Sequence, residues 1–219
     1  MRKQIWQILV IVMLLAASPR VGLAQALKQA TVISNEDVNA VLKRQADTHR
    51  GNPDNMMRVV DNGQYQVGVA IVHWGATGGG AGATSGGIRG GGGPTANSTE
   101  TCGEQRPDAT GPQGYLHDYT GETYIVISGS ATLISGGTIV NGKRPMPTSE
   151  ITTTLNGPSC LGTMVGYTSR VIKEGDVVII PEGVPHAFSS IPDHITYLSV
   201  RPDLKKVLPA GYVNPALKQ

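Results

Sequence analysis

The sequence predicts a single all-β barrel of short strands preceded by one short helix. Three observations carry that expectation. Runs rich in Val, Ile, Thr and Tyr recur from Met56 to Arg201 between turns containing Gly, Pro, Asn and Ser, which is the pattern of a barrel. In the run from Tyr65 to Trp74, Tyr65, Val67, Val69, Ile71 and His73 alternate with smaller or polar residues, as a half-buried strand requires. About 195 residues remain beyond an apolar leader, enough for one domain with a sizeable core.

Met1 to about Ala24 has a basic start at Arg2 and Lys3, an apolar run from Ile8 to Ala17, and small residues before Gln25. This reads as a secretory signal peptide, residues 1–24, cleaved after Ala24 or Ala26. Its apolar run is too short to span a bilayer comfortably, so the mature chain is expected in the periplasm or secreted, away from any membrane. Residues 27–60 then hold a helix and a lead-in strand. Ser34 caps the helix with Asp37 reaching back, and Val38, Val41 and Leu42 follow at helical spacing.

The barrel is expected over residues 61–201. Met56 to Val60 and Tyr65 to Trp74 flank an Asp61-Asn62-Gly63 turn. Gly75 to Gly93 is more than half glycine, and Pro, Ser, Thr and Asn continue to about Gly111, so residues 75–113 read as a flexible insertion without a packed element. It is either a lid over the barrel mouth or a surface loop. Strands are then expected at 123–128, 131–135, 138–140, 169–173, 177–180, 186–189 and 195–201. The tail, 202–219, places Leu204, Val207, Leu208, Tyr212 and Val213 among prolines, to pack on the barrel or on a partner.

Two segments carry the chemistry. In GDVVIIPEGVPHAFSS, Gly175, Pro181, Gly183 and His186 stand at the spacing G-x5-P-x-G-x2-H, with Ser190 where an Asn would follow. In GYLHDYTGETYIVISG, His117, Glu122 and Gly129 fit H-x3-4-E-x6-G, with Tyr115 two residues before His117. Together they resemble the paired motifs of the cupin family, whose first motif has a histidine at the Tyr115 position. The resemblance spans about Tyr65 to Arg201 and implies a jelly-roll, or double-stranded β-helix, barrel.

It also implies a divalent metal held by His117, Glu122 and His186. Imidazoles and a carboxylate converging from different strands, with a position left open, are what such an ion needs. Asp118-Tyr119-Thr120-Gly121 reads as a turn that makes a hairpin of the strands carrying His117 and Glu122. Tyr115 either meets the metal or its bound water, or simply packs on the wall. His73 faces the same cavity or serves as a structural histidine at a strand end.

Eighteen Lys and Arg against sixteen Asp and Glu leave the chain near neutral, and no basic stripe is present of the kind nucleic acid selects. Cys102 and Cys160 either form a disulfide or remain two free thiols. The site points to a metal-dependent enzyme on a small molecule, an oxygenase or an isomerase or lyase. Its metal would be Fe or Mn by the two-histidine, one-carboxylate set, with Zn, Ni and Cu open, and Tyr115 or Tyr124 would orient substrate or donate a proton. The alternative is a non-catalytic extracytoplasmic barrel that binds a small ligand such as a carbohydrate. Edge strands that need covering would favour a homodimer.

Overall fold

The computed structural model describes residues 29–48, 52–77 and 99–217. The expected signal peptide and the glycine-richest stretch, 78–98, lie outside them. Helix α1 (Asn35–Thr48) begins as its sequence dictates. Asp37 N–H donates to Ser34 Oγ at 3.2 Å while Ser34 N–H donates to Asp37 Oδ2 at 3.1 Å, so two backbone donors without helical partners are satisfied reciprocally.

Among the described residues, eleven strands follow in antiparallel ladders. Strands β1 (Asp54–Asp61) and β2 (Gln66–Gly75) form a hairpin. At its turn Gly63 adopts φ 88° and its N–H donates to Asp61 Oδ1, the Asx arrangement that suits Asp-Asn-Gly. Next come β3 (Thr101–Cys102), β4 (Gln113–His117), β5 (Glu122–Ser135) and β6 (Thr138–Lys143). A π-helical turn, Ile151–Leu155, precedes β7 (Ser159–Val165), β8 (Thr168–Lys173), β9 (Val177–Ile180), β10 (His186–Ser190) and β11 (His194–Asp203).

The sheet folds into two leaves that share β5. Its first half pairs with β11 and β9, and β11 continues to β2 and β1; its second half pairs with β10 and β8, and β10 continues through β4 and β7 to β6 and β3. The sequence reads β5 as two strands, 123–128 and 131–135. One strand instead bends at Gly129, whose φ of 76° and whose approach to His194 O, 2.0 Å from where a Cβ would lie, admit no side chain.

The expected hairpin between His117 and Glu122 does not form. Strand β10 lies between β4 and β5, pairing His186 with Tyr115 on one side and with Ser135 on the other. The turn at Asp118–Gly121 therefore carries the chain from one leaf to the other. The consequence serves the site, because all three residues end at one mouth of the barrel from different strands.

Between the leaves sits an apolar core that includes Val72, Tyr124, Leu133, Phe188, Ile195 and Tyr197. On the outer face of the first leaf, Ile71 and Met57 are covered by Val41 of α1 and by Val213 and Leu217 of the tail. The described part of the tail thus packs on its own barrel. The stretch 99–113 also departs from expectation. Thr101–Cys102 pair with Gly142 and Lys143, and Cys102 is bonded to Cys160, so a segment too poor in apolar residues to pack alone is fixed by ladder bonds and a disulfide.

Candidate metal centre

Alternation along the strands selects the residues that face inward: His117 on β4, Glu122 and Tyr124 on β5, His186 and Phe188 on β10, and Tyr197, Ser199 and Arg201 on β11. His117, Glu122 and His186 are all buried and offer one ligand atom each, and the three atoms lie within 4.8 Å of one another. His186 Nε2 is 3.0 Å and His117 Nε2 is 3.7 Å from Glu122 Oε2.

Hydrogen bonds fix which nitrogen each ring presents. Ser159 Oγ donates its proton to Gly157 O at 2.9 Å, so it accepts from His117 Nδ1 at 2.8 Å. Val184 O, which only accepts, holds His186 Nδ1–H at 2.9 Å. Both rings therefore carry their proton on Nδ1 and turn the Nε2 lone pair inward, the tautomer a metal requires. At 3.0 Å, the His186 lone pair and the Glu122 carboxylate repel unless a proton or a cation lies between them. On this chemistry the residues fit a divalent ion.

Glu122 is held at both oxygens. Oε1 accepts from Arg201 Nε at 2.9 Å, Ser199 Oγ at 3.0 Å and Asn156 Nδ2 at 3.2 Å, while Tyr124 OH donates to Oε2 at 2.9 Å. Burial alone would raise this carboxyl, but the Arg201 guanidinium beside it holds it well below the usual carboxylate range. Burial lowers His117, against the pull of Glu122, which favours the neutral ligand form. Burial raises Tyr124 well above its ordinary value, and Glu122 adds to that.

Arg201 is 1% exposed. Its Nη2 donates to Asp54 Oδ2 at 2.7 Å and its Nη1 to Leu155 O at 2.8 Å, so the guanidinium bridges two carboxylates and the π-helical turn. Burial opposes its charge, but Asp54 and Glu122 more than offset that and raise it. Asp54 itself is raised by burial despite Arg201. With all three ionised, the group carries one net negative charge, which a divalent ion would turn into one positive.

Above these residues lies a cavity of about 90 Å³, walled by side chains that include Trp74, Tyr115, Phe188 and Tyr197. Tyr115 lines it, its ring 6.3 Å from that of His117, and burial pushes its hydroxyl up to about 12. His73 does not join the site. It is exposed on the opposite face of β2 from Val72 and Trp74, and its Nδ1 meets Thr196 Oγ1 at 2.8 Å.

Both motif segments thus deliver their matched residues to one mouth of a two-leaved antiparallel barrel. The chain has the cupin fold. Among solved structures similar to this cupin barrel, a protein from Bacillus halodurans is 10% identical, with 86% of this chain and 92% of that chain covered at a TM-score of 0.38. A cupin protein from Bacteroides fragilis is 13% identical over 70% of this chain and 78% of its own, at a TM-score of 0.29. An uncharacterized conserved protein with a double-stranded beta-helix domain from Klebsiella pneumoniae is 16% identical over 81% and 93%, at a TM-score of 0.33. No protein-family model matches the sequence, and no curated protein matches it.

Five residues of the site escape sequence reading: Asp54, Asn156, Ser159, Ser199 and Arg201. One of them left a signal. Arg201 shares the inward face of its strand with Ile195 and Tyr197, and a charge on such a face demands a buried partner.

Proposed function

We propose that this barrel binds a divalent metal ion through His117, Glu122 and His186 and acts as a metal-dependent enzyme on a small molecule, of oxygenase or isomerase and lyase type. The observation that carries the reading is the pairing of convergence with orientation: three ligand atoms meet at the cavity floor, and each residue's remaining polar atom has its own partner. Outer partners of this kind set ligand direction and basicity in metal sites. The two-imidazole, one-carboxylate set favours Fe or Mn. Such an ion supplies Lewis acidity or an open coordination position for substrate.

The chain's own side chains do the rest. Arg201, Ser199 and Tyr124 fix the Glu122 carboxylate, and Trp74, Phe188 and Tyr197 exclude water from the wall. Tyr115, protonated at neutral pH, donates a hydrogen bond or a proton toward bound substrate.

The test is metal content of the protein purified from its native compartment, beside His117→Ala and His186→Ala. About one ion per chain is expected in the parent and none in the variants. A folded parent without metal, even after reconstitution, would sink the reading. We also read the protein as exported, supported by the Met1 to Ala24 pattern and by a disulfide of the kind oxidising compartments sustain. The same preparation should begin at Gln25 or Leu27, and an intact Met1 would overturn this.

One observation favours a non-catalytic small-ligand binder instead. The inward nitrogen of His117 is satisfied without an ion, since Asn156 Nδ2 donates to His117 Nε2 at 3.1 Å. On that reading the barrel keeps its ligand affinity after chelation.

A further inference from the structure

Asn156 directly follows the π-helical turn and is buried. Single π turns recur at functional positions, and this one is tied down on every side. Asn156 N–H donates to Ile151 O at 2.9 Å and its carbonyl accepts from Thr120 Oγ1 at 2.8 Å. The preceding carbonyl, Leu155 O, accepts from Arg201, the residue that also orients Glu122. None of these ties uses the Asn156 side chain, which is left to face His117 and Glu122.

Its terminal atom lies 3.1 Å from His117 Nε2 and 3.2 Å from Glu122 Oε1. Two atoms bound about 2.1 Å from one ion stand about 3.0 Å apart at a right angle and about 3.4 Å apart in a tetrahedron. His186 Nε2 and Glu122 Oε2, at 3.0 Å, already show that separation. The Asn156 terminus shows it toward His117 Nε2, while its contact with Glu122 is to Oε1, the oxygen that Arg201 and Ser199 hold. In its present orientation the amide places Nδ2 on the His117 lone pair, the one an ion would use. Which end of an amide faces a site follows from its partners, and replacing that lone pair by a cation reverses the preference, because amide oxygens ligate hard divalent ions and amide nitrogens do not.

We propose that Asn156 is the fourth protein ligand: its amide caps His117 Nε2 while no ion is present and turns over to offer Oδ1 when one binds. This inference rests on the metal reading above. Asn156 would take the coordination place that Tyr115, standing where the first motif has a histidine, leaves open. The hydrogen bond from the Asn156 amide to His117 that favours a metal-free binder then becomes the resting state of a ligand.

The experiment is calorimetric titration of the metal-stripped full chain with Mn(II) and with Co(II), in the parent, Asn156→Ala and Asn156→Asp, with circular dichroism confirming the fold of each. Loss of the amide should weaken binding roughly 10- to 100-fold, Asn156→Asp should restore it to the parent's level or better, and the visible absorption of bound Co(II) should differ between parent and Asn156→Ala. Binding by Asn156→Ala as tight as the parent's or tighter would overturn the proposal, since the amide would then be a bystander or a competitor. Weaker binding by Asn156→Asp than by Asn156→Ala would overturn it as well, showing an amide that only donates to Glu122. A folded parent that takes up neither ion is a distinct result and removes the metal reading itself.

Discussion

Arg201 makes four hydrogen bonds, to Glu122 Oε1, Ser199 Oγ, Leu155 O and Asp54 Oδ2, from a position with 1% exposure. A buried pair adds little net stability when compared with an apolar isostere, but removing one partner leaves an uncompensated charge. Here the loss would strand two carboxylates. Arg201→Ala is therefore expected to destabilise the fold by about 3–5 kcal/mol, read from the midpoint of urea unfolding. Arg201→Lys keeps the charge but cannot hold Glu122, the turn and Asp54 in one planar fork. It should fold, unfold at lower urea than the parent, and bind metal more weakly; a lysine variant matching the parent in both would show that only the charge matters.

At the scale of elements, the motif glycines separate into two kinds. Gly129 and Gly175 both have positive φ, 76° and 86°, where any side chain is strained by about 1–2 kcal/mol. Around Gly175 a Cβ would meet open space, whereas at Gly129 it would lie 2.0 Å from His194 O. Gly175→Ala should thus cost about 1 kcal/mol, and Gly129→Ala clearly more, because β5 cannot keep its bend and its pairing with β11 together. Equal losses in denaturant unfolding would mean that the bend yields without cost. The same contrast explains what was legible. His117, Glu122 and His186 declare themselves through spacing inside two short segments, and the capping box of α1 is equally local. Ser159 reaches the site through sheet register and Asn156 through the turn before β7, which no local pattern records, and the inward alternation that marks Arg201 as needing a partner does not name Glu122 or Asp54. The hairpin expected at Asp118–Gly121 fails for the same reason: β10 enters between β4 and β5 from about seventy residues away in sequence.

For the whole molecule, the bond between Cys102 and Cys160 spans a sequence separation of 58, a loop that contains His117, Glu122 and Asn156 but neither His186 nor Arg201. Closing a loop of that length restricts the unfolded chain by about 4 kcal/mol in the chain-entropy account. The native structure makes room for it at Gly142, where a Cβ would lie 2.6 Å from Cys160 Sγ and 2.9 Å from Cys102 Sγ. The bridge also reinforces β3, whose two residues pair with Gly142 and Lys143 and whose flanks are tied by Arg144 N–H to Glu100 O and Asn141 N–H to Glu104 O. Ser159, beside Cys160, needs no such help in orienting His117, because five register pairs from Gln113↔Thr163 to His117↔Ser159 align β4 with β7. Replacing both cysteines by serine should therefore lower the stability by up to about 4 kcal/mol and leave the metal affinity of the folded protein little changed. Urea unfolding and metal titration of the same variant separate the two effects. A loss of metal affinity without a loss of stability would make the bridge part of the site, whereas intact stability with intact affinity would leave it without a structural role.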